Sequence, residues 1–268
     1  MILELQKKYK DEGYCYLRDS IDIKLLNNIE QNIVDLILAT VKRLPKNKQD
    51  EFYACNFDKE ELPHSGLIKL YELSPKFQKV VVDALVVSSS VYRLVLDKSL
   101  LTSIGQLINA EVNNMIINQV FVRVDLPSKF ETLTLNIELP AHQESSYFRK
   151  NIDPYNGAVV WIPIFDCGPI EGSLEIYPES HKLGDIEHKG EYLKPNQKKH
   201  FRNTVSPEVV RKFKSIRLNT KKGDCAIQHF ALIHKSSKNL SENKVRYTIL
   251  LRTGNLMSPD FIPVSWIN

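Results

Sequence analysis

The segment Ala-His-Gln-Glu-Ser-Ser-Tyr, residues Ala141–Tyr147, carries the pattern on which the interpretation of the whole chain depends. Its histidine, His142, and its carboxylate, Glu144, are two positions apart at the end of an extended stretch of alternating apolar residues. Side chains two apart on a β-strand project from the same face, so both groups are predicted to enter one pocket. Two such groups do not hold a transition metal in a working site, and a third ligand is therefore expected from elsewhere in the chain.

The best candidate for the third ligand is His234, which is predicted to close a strand after a Gly-Asp pair. Two neutral imidazoles and one carboxylate form the facial triad that suits non-haem Fe(II) and leaves coordination positions open. The rival His229 is five positions earlier, so on a straight strand it would face the opposite side. Ser236 and Arg246 follow His234, whereas nothing comparable accompanies His229, which is expected to be structural.

Arg246 and Ser236 are predicted to form an anion pocket beside the metal. A hairpin between His234 and Arg246 would bring them onto neighbouring strands, and a guanidinium recognises a carboxylate in a planar, two-pronged way. Ser236 shares the strand face of His234 and adds a hydroxyl donor. Arg252 is the alternative cation, but its even spacing from Arg246 would put both on one face at different depths.

The second ring nitrogen of each metal-binding histidine usually donates to an acceptor that fixes the tautomer. Asp166, Glu171 and Asp224 are candidates for that acceptor. The sequence does not choose among them.

Composition excludes several classes of function. The chain is 43% hydrophobic and 25% charged, which is ordinary for a soluble globular protein. Its 36 basic and 32 acidic residues give a net charge of +4, too mild to favour nucleic acid or a membrane surface as partner. The four cysteines are scattered without a CxxC pair, which argues against a disulfide framework or a zinc site. No signal core and no run of about 18 apolar residues appears, so a cytoplasmic protein acting on a small molecule is expected. No pattern addresses the oligomeric state.

The order of predicted elements indicates one domain over residues 1–268, with a helical part at about 1–110 and a β core at about 111–256. Helices are predicted over 1–10, 23–44, 75–87 and 97–108, with an irregular polar excursion over 45–66. Strands are predicted over 14–17, 115–124, the segment before Pro140, 157–164, 172–178, 225–234 and 246–252, with a polar loop over about 184–206. This order favours a mainly β fold with an outer α-helical layer.

Five stretches, in this order, give the chain a resemblance to the phytanoyl-CoA dioxygenase family of Fe(II)/2-oxoglutarate-dependent oxygenases. They span nearly the whole chain, and together they are far more specific than any one of them. They are Asp11–Tyr14, His142–Glu144, Trp161–Pro163 followed by Asp166, Gly172–Gly184, and Gly223–Asp224 through His234–Ser236 to Arg246.

The resemblance implies a double-stranded β-helix, a jelly-roll or cupin-like barrel, that binds Fe(II), 2-oxoglutarate and O2. It implies that the enzyme hydroxylates an unactivated carbon and releases succinate and CO2. The implied iron ligands are His142, Glu144 and His234, and the implied cosubstrate residues are Arg246, Ser236, Trp161 and, by a looser match, Gln119.

The chain departs from the family pattern at two positions. Glu144 stands where the usual carboxylate ligand is Asp; Glu remains a competent ligand, and halogenation, which needs a small residue there, is disfavoured. Glu179 stands where the family mostly has Gly in a Pro-Gly-Ser-His turn. Because Glu is strained at a position that requires positive φ, a different turn is expected, with His181 structural.

The substrate residues proposed from sequence are Arg123, Gln143 and Tyr147. With Phe148 and Arg149 they suggest a polar, aromatic-walled mouth for a sugar, an amino acid or a natural-product intermediate. A fatty acyl-CoA would need a longer apolar groove. Two other interpretations remain open: a non-catalytic barrel relative that binds a ligand without turnover, and a barrel metalloenzyme of another class.

Overall fold

The computed structural model describes residues 2–130, 139–145, 157–192 and 201–259. Its N-terminal part is helical, as predicted, but residues 45–66 are not irregular, because they contain helix α3 and a π-helical turn, Leu62–Gly66. The helices are α1 Ile2–Glu12, α2 Ile23–Val41, α3 Lys46–Tyr53, α4 Leu67–Leu73, α5 Pro75–Val86, α6 Ser89–Val95 and α7 Lys98–Leu107. No helix among the described residues is both long and apolar enough to cross a lipid bilayer.

Local sequence signals explain where these helices begin and which face they bury. The side chain of Asp22 accepts a hydrogen bond from Lys24 N at the start of α2, and Asp97 accepts one from Leu100 N at the start of α7. Apolar residues at helical spacing along α2 are fully buried, namely Leu26, Ile29, Ile33 and Ile37. Helix α2 therefore forms the centre of the helical layer.

The strands form antiparallel sheets whose members are distant in sequence. A five-stranded sheet has the order β1-β8-β3-β10-β2, a three-stranded sheet has the order β7-β4-β9, and β5 pairs with β6. The strands are β1 Tyr14–Leu17, β2 Met115–Asp125, β3 Gly157–Pro163, β4 Leu174–Ile176, β5 Lys189–Tyr192, β6 Phe201–Thr204, β7 Ile216–Arg217, β8 Cys225–His229, β9 His234–Ser236 and β10 Arg246–Asn255.

Three predictions about the architecture need correction. The strand predicted over 225–234 is two strands in different sheets, because the chain turns after His229, whose carbonyl accepts from Leu232 N. The loop predicted over about 184–206 contains the β5–β6 pair. The fold is mixed helix and sheet rather than mainly β, since the part before β2 is almost wholly helical. The strand predicted before Pro140 lies largely outside the described residues.

The large sheet has a helix-facing side and a site-facing side. Val160 and Ile162 of β3 and Ile249 of β10 belong to the same buried cluster as the helices. The alternate residues Trp161 and Leu250 pack instead with β4 of the smaller sheet. Because side chains alternate along each strand, this second face and the smaller sheet enclose the space into which the predicted site residues project.

Candidate active site

The three predicted metal ligands converge although they come from two separate segments. His142 and His234 form an antiparallel bridge in which each backbone N–H donates to the other's carbonyl at 3.0 Å. Glu144 Oε1 lies 3.7 Å from His142 Nε2 and 3.5 Å from His234 Nε2. One ligand atom from each residue lies within 4.8 Å of the others, and all three side chains are buried. The donors and their spacing fit a transition-metal ion.

Backbone carbonyls fix which histidine nitrogens face the carboxylate. His142 Nδ1 donates to Pro140 O at 2.7 Å, and His234 Nδ1 donates to Leu232 O at 3.0 Å, since a carbonyl can only accept. The Nε2 atoms are therefore the nitrogens that can ligate a metal. The acceptors considered from sequence serve other groups: Asp166 pairs with Lys221 and Lys222, Glu171 accepts from Gly168 N, and Asp224 accepts from Tyr16.

The charge states of the triad suit metal binding. Burial and the neighbouring His234 imidazole lower the pKa of His142, so its ring is neutral near pH 7. Burial raises the pKa of Glu144, but the two histidines that face it and the Arg252 guanidinium outweigh burial and hold that pKa well below its ordinary value. The neutral His142 imidazole therefore faces an ionised carboxylate.

Arg252 contacts this carboxylate directly, which sequence reasoning missed. Its Nε donates to Glu144 Oε2 at 2.6 Å, and its guanidinium carbon lies 4.5 Å from the centre of the Phe121 ring. The side chain is only 11% exposed. The even spacing from Arg246 placed Arg252 on the correct face, but nothing in the sequence linked it to Glu144.

A second buried charge cluster lies at the other end of the site-facing side of β10. Arg123 Nε donates to both carboxylate oxygens of Asp125 at 2.8 Å, while Arg246 Nε and Nη2 donate to Asp125 Oδ2 at 3.0 and 2.7 Å. Arg246 Nη1 donates to Ser237 O at 3.0 Å. Burial raises the pKa of Asp125, but the two guanidiniums hold it below its ordinary range. Two guanidiniums therefore share the Asp125 carboxylate.

This cluster changes the roles foreseen for two arginines. Arg246 is buried near the metal histidine's strand, as expected, but its guanidinium is already held by Asp125 and Ser237. Arg123, considered a substrate residue, belongs to the same cluster. Asp125 was missed, although its position two residues after Arg123 was a readable signal for contact on one strand face.

Apolar side chains separate the two charged ends of the site. Leu250 lies between Arg246 and Arg252 on β10 and pairs with the buried Trp161 of β3. Ser236 is half-buried on β9, opposite Leu174, and shares a face with His234. Ser236 thus lies on the same face of β9 as His234, and Trp161 lies on the face of the large sheet that packs against β4.

The other predicted residues divide into three cases. The backbone of Gln119 on β2 pairs with that of Arg252 on β10. Tyr147, with Phe148 and Arg149, lies outside the described residues.

Gln143 is fully buried: its Nε2 donates to Gly184 O at 2.8 Å and Ala231 O at 2.6 Å, and its Oε1 accepts from Ile186 N at 2.9 Å. A substrate contact would require breaking these bonds, so Gln143 instead holds the segment after the Gly184 turn.

Gln228 is a further polar residue that sequence reasoning missed. It lies on β8 opposite Val159 and is 1% exposed, yet neither its amide nitrogen nor its amide oxygen has a hydrogen-bond partner among the residues that the structure describes. Val159 also pairs with Arg252, so Gln228 and Arg252 stand in one row two strand spacings apart, roughly 10 Å. A buried donor and acceptor therefore face the site.

The two other histidines considered from sequence, His229 and His181, pack against each other outside the triad. His229 packs against Tyr9 and His181, at ring-centre distances of 6.0 and 5.2 Å, and is buried there. His181 Nε2 donates to Lys10 O at 2.9 Å. The expectation of a different turn before His181 was wrong, since Glu179 keeps a left-handed backbone with φ of 68°.

Comparison with known proteins places this arrangement in a family. The family model described as phytanoyl-CoA dioxygenase matches residues 9–247. No curated protein sequence matches the chain.

Solved structures share the fold over almost the whole chain. The epimerase SnoN from nogalamycin biosynthesis, in complex with Fe3+, alpha ketoglutarate and nogalamycin RO, is 14% identical with a TM-score of 0.57, covering 95% of this chain and 83% of its own. EctD from S. alaskensis, with 2-oxoglutarate and 5-hydroxyectoine, is 14% identical with a TM-score of 0.58, covering 94% and 75%. The non-heme monooxygenase ThoJ is also 14% identical with a TM-score of 0.58, covering 94% and 77%. With the family match over most of its length, the chain belongs to the phytanoyl-CoA dioxygenase family.

Proposed function

We propose that this protein is an Fe(II)- and 2-oxoglutarate-dependent oxygenase. The observation that carries the proposal is the orientation of the triad: the Nε2 atoms of His142 and His234 and Oε1 of Glu144 face one another in a buried site. These three atoms would hold Fe(II) and leave coordination positions for small ligands. When bound, the iron supplies the oxidising chemistry, with 2-oxoglutarate and O2 as cosubstrates.

The arginine cluster supports 2-oxoglutarate as the cosubstrate. Ser237, whose carbonyl holds Arg246, follows His234 by three residues, so the cluster lies roughly 10 Å from the metal histidine along an extended strand. A short dicarboxylate can span that distance, and the Arg246 guanidinium at the far end suits its second carboxylate. Ser236, Trp161 and Gln119 are proposed to line the same pocket.

The protein's own contribution is positioning and exclusion of water. The buried Trp161 and Leu250 separate the charged ends with apolar surface. A dry interior strengthens the attraction between the arginine cluster and a bound carboxylate. We propose that the two facing sheets close into a double-stranded β-helix around this space.

The proposed reaction is hydroxylation of an unactivated carbon of a small, polar metabolite, with release of succinate and CO2. The unpartnered amide of Gln228 in the site wall supports a polar rather than a purely aliphatic substrate. The single domain over 1–268, the cytoplasmic location and the absence of nucleic-acid or membrane partners stay predictions.

An anaerobic titration tests the proposal. Adding Fe(II) and then 2-oxoglutarate should produce a visible charge-transfer band, and aerobic incubation should release succinate. His142→Ala should abolish both signals. The matched control is His229→Asn, which removes the imidazole that packs against Tyr9 and His181 and should retain both the band and succinate release. A wild-type protein without band and succinate, or a His142→Ala protein that keeps them, would contradict the proposed function.

A further inference from the structure

We propose that Arg252 is a positioning residue that restricts Glu144 to binding the metal through one oxygen. The inference rests on the proposed function, because it concerns how the triad holds its ion. The two carboxylate oxygens of Glu144 have different partners. Oε1 faces the Nε2 atoms of His142 and His234, while Oε2 accepts the Arg252 Nε–H at 2.6 Å.

A charge-assisted hydrogen bond of this length orients the carboxylate plane. With Oε2 occupied, rotation of the carboxylate would break the bond to Arg252 inside a buried site. Oε1 is therefore the oxygen that Glu144 presents to the ion. Loss of Arg252 would free the carboxylate to turn away or to chelate with both oxygens.

Arg252 can hold Glu144 because the large sheet holds Arg252. It lies within β10, with Gln119 opposite on β2 and Val159 opposite on β3. Its guanidinium also lies over the Phe121 ring, a cation–π contact that limits its movement. The short segment that carries Glu144 is thereby anchored to the large sheet, while the His142–His234 bridge anchors it to the smaller one.

This arrangement explains the departure from the family's usual Asp. An Asp side chain is one methylene shorter, about 1.5 Å less reach. Glu144 spans from its backbone to the two histidine nitrogens and to Arg252 at once. We infer that Glu144 and Arg252 form one functional unit, in which the longer side chain is needed to reach the arginine.

Metal affinity measured with Co(II) alone tests the inference without any turnover. Calorimetry and the visible spectrum of bound Co(II) would be compared for wild type, Arg252→Met, Arg252→Lys and Arg252→Gln. We expect Arg252→Met to weaken Co(II) binding by about 10- to 100-fold and to alter the spectrum, as loss of a group that orients a metal ligand does. Arg252→Lys should recover part of the affinity.

The matched control is Arg217→Met. Arg217 also pairs through Nε with a strand carboxylate, Glu175 Oε2 at 3.2 Å, but its side chain is 52% exposed and the pair lies on the opposite face of β4 from the triad. This variant should change Co(II) affinity by less than about twofold, because Glu175 projects from the other face of β4 and keeps Lys235 as a partner.

A double-mutant cycle with Glu144→Asp tests the coupling. If the two residues act as a unit, Glu144→Asp should weaken Co(II) binding strongly in the wild-type background and add little to Arg252→Met. Additive losses, or Arg252 variants that bind Co(II) as wild type does with an unchanged spectrum, would overturn the inference and leave the proposed function standing. Wild-type protein that binds no Co(II) would instead refute the metal site itself. If Arg252→Met does not fold, the Lys and Gln variants decide.

Discussion

Removing the carboxylate at the centre of the arginine cluster should be among the most damaging single changes in the protein. Asp125 is 5% exposed and is the shared anion of two guanidiniums. Asp125→Asn removes the buried carboxylate that Arg123 and Arg246 share. Because breaking a buried ion pair strands an uncompensated charge, the variant should lose about 3–5 kcal/mol of unfolding free energy. That is a large part of the total of about 5–15 kcal/mol typical of a folded domain.

Urea unfolding followed by far-UV circular dichroism at pH 7 measures this loss. The control is Asp166→Asn, which also removes a carboxylate with two partners, Lys221 and Lys222, but whose side chain is 60% exposed. It should cost less than about 1 kcal/mol. Adding Arg246→Met to Asp125→Asn should restore part of the stability, since it removes the buried guanidinium that Asp125 binds through two nitrogens. Equal losses from Asp125→Asn and Asp166→Asn would refute the reasoning.

Three further predictions concern single residues. Burial lowers the pKa of His64 from 6.5 to about 4, so between these pH values the unfolded chain binds this proton more readily than the folded protein does. The unfolding free energy should therefore fall as the pH drops from 6.5 toward 4, by up to about 1.4 kcal/mol per pH unit. His64→Gln should remove that part of the pH dependence in urea unfolding at pH 7, 6 and 5, and an unchanged slope would contradict the prediction. Glu179→Gly should raise the unfolding free energy by about 0.5–1 kcal/mol, because glycine accepts a φ of 68° without strain, and a loss in the same assay would disprove this. Gln228→Leu should raise the stability of the metal-free protein by about 1 kcal/mol, since leucine has no unpaired buried dipoles; a lower melting temperature would mean that the amide has a partner in solution.

The metal ligands could be predicted from sequence because their geometry is partly local. Two-residue spacing puts His142 and Glu144 on one face of an extended chain whatever the rest of the fold does. The predicted strand limits of β2, β3 and β10 were also close, since these strands are rich in β-branched and aromatic residues. A strong local pattern and a strict alternation were enough for these elements.

The strand over 225–234 was predicted wrongly because its turn lacks the usual signals. Phe230–Ile233 is apolar and fully buried, with no Gly or Pro, and so resembles a continuing strand. The turn is instead held by a local bond, in which Ala231 N donates to His229 Nδ1, and by a distant one, in which Ile233 N donates to Ser180 Oγ. A contact with a residue 53 positions away is not visible in a local window.

Arg252 and Asp125 could not be assigned from sequence for a related reason. Their roles depend on cross-strand register, which joins β10 to β2 and β3 over more than 80 positions of chain. Register is set by packing on both faces of the sheet, and a shift of one residue would turn every one of these side chains to the other face. Spacing alone placed Arg246 and Arg252 on one face, but it could not say which carboxylate each would meet.

The Nδ1 acceptors of His142 and His234 are local, although sequence reasoning expected distant ones. Sequence reasoning sought the Nδ1 acceptors among acidic residues far along the chain. The structure uses the carbonyl two residues earlier in both cases, Pro140 for His142 and Leu232 for His234. Because each tautomer is fixed within its own segment, the bridge between the segments needs only to bring the rings together. Glu144 differs from the histidines, because its second oxygen, Oε2, accepts a hydrogen bond from the distant Arg252.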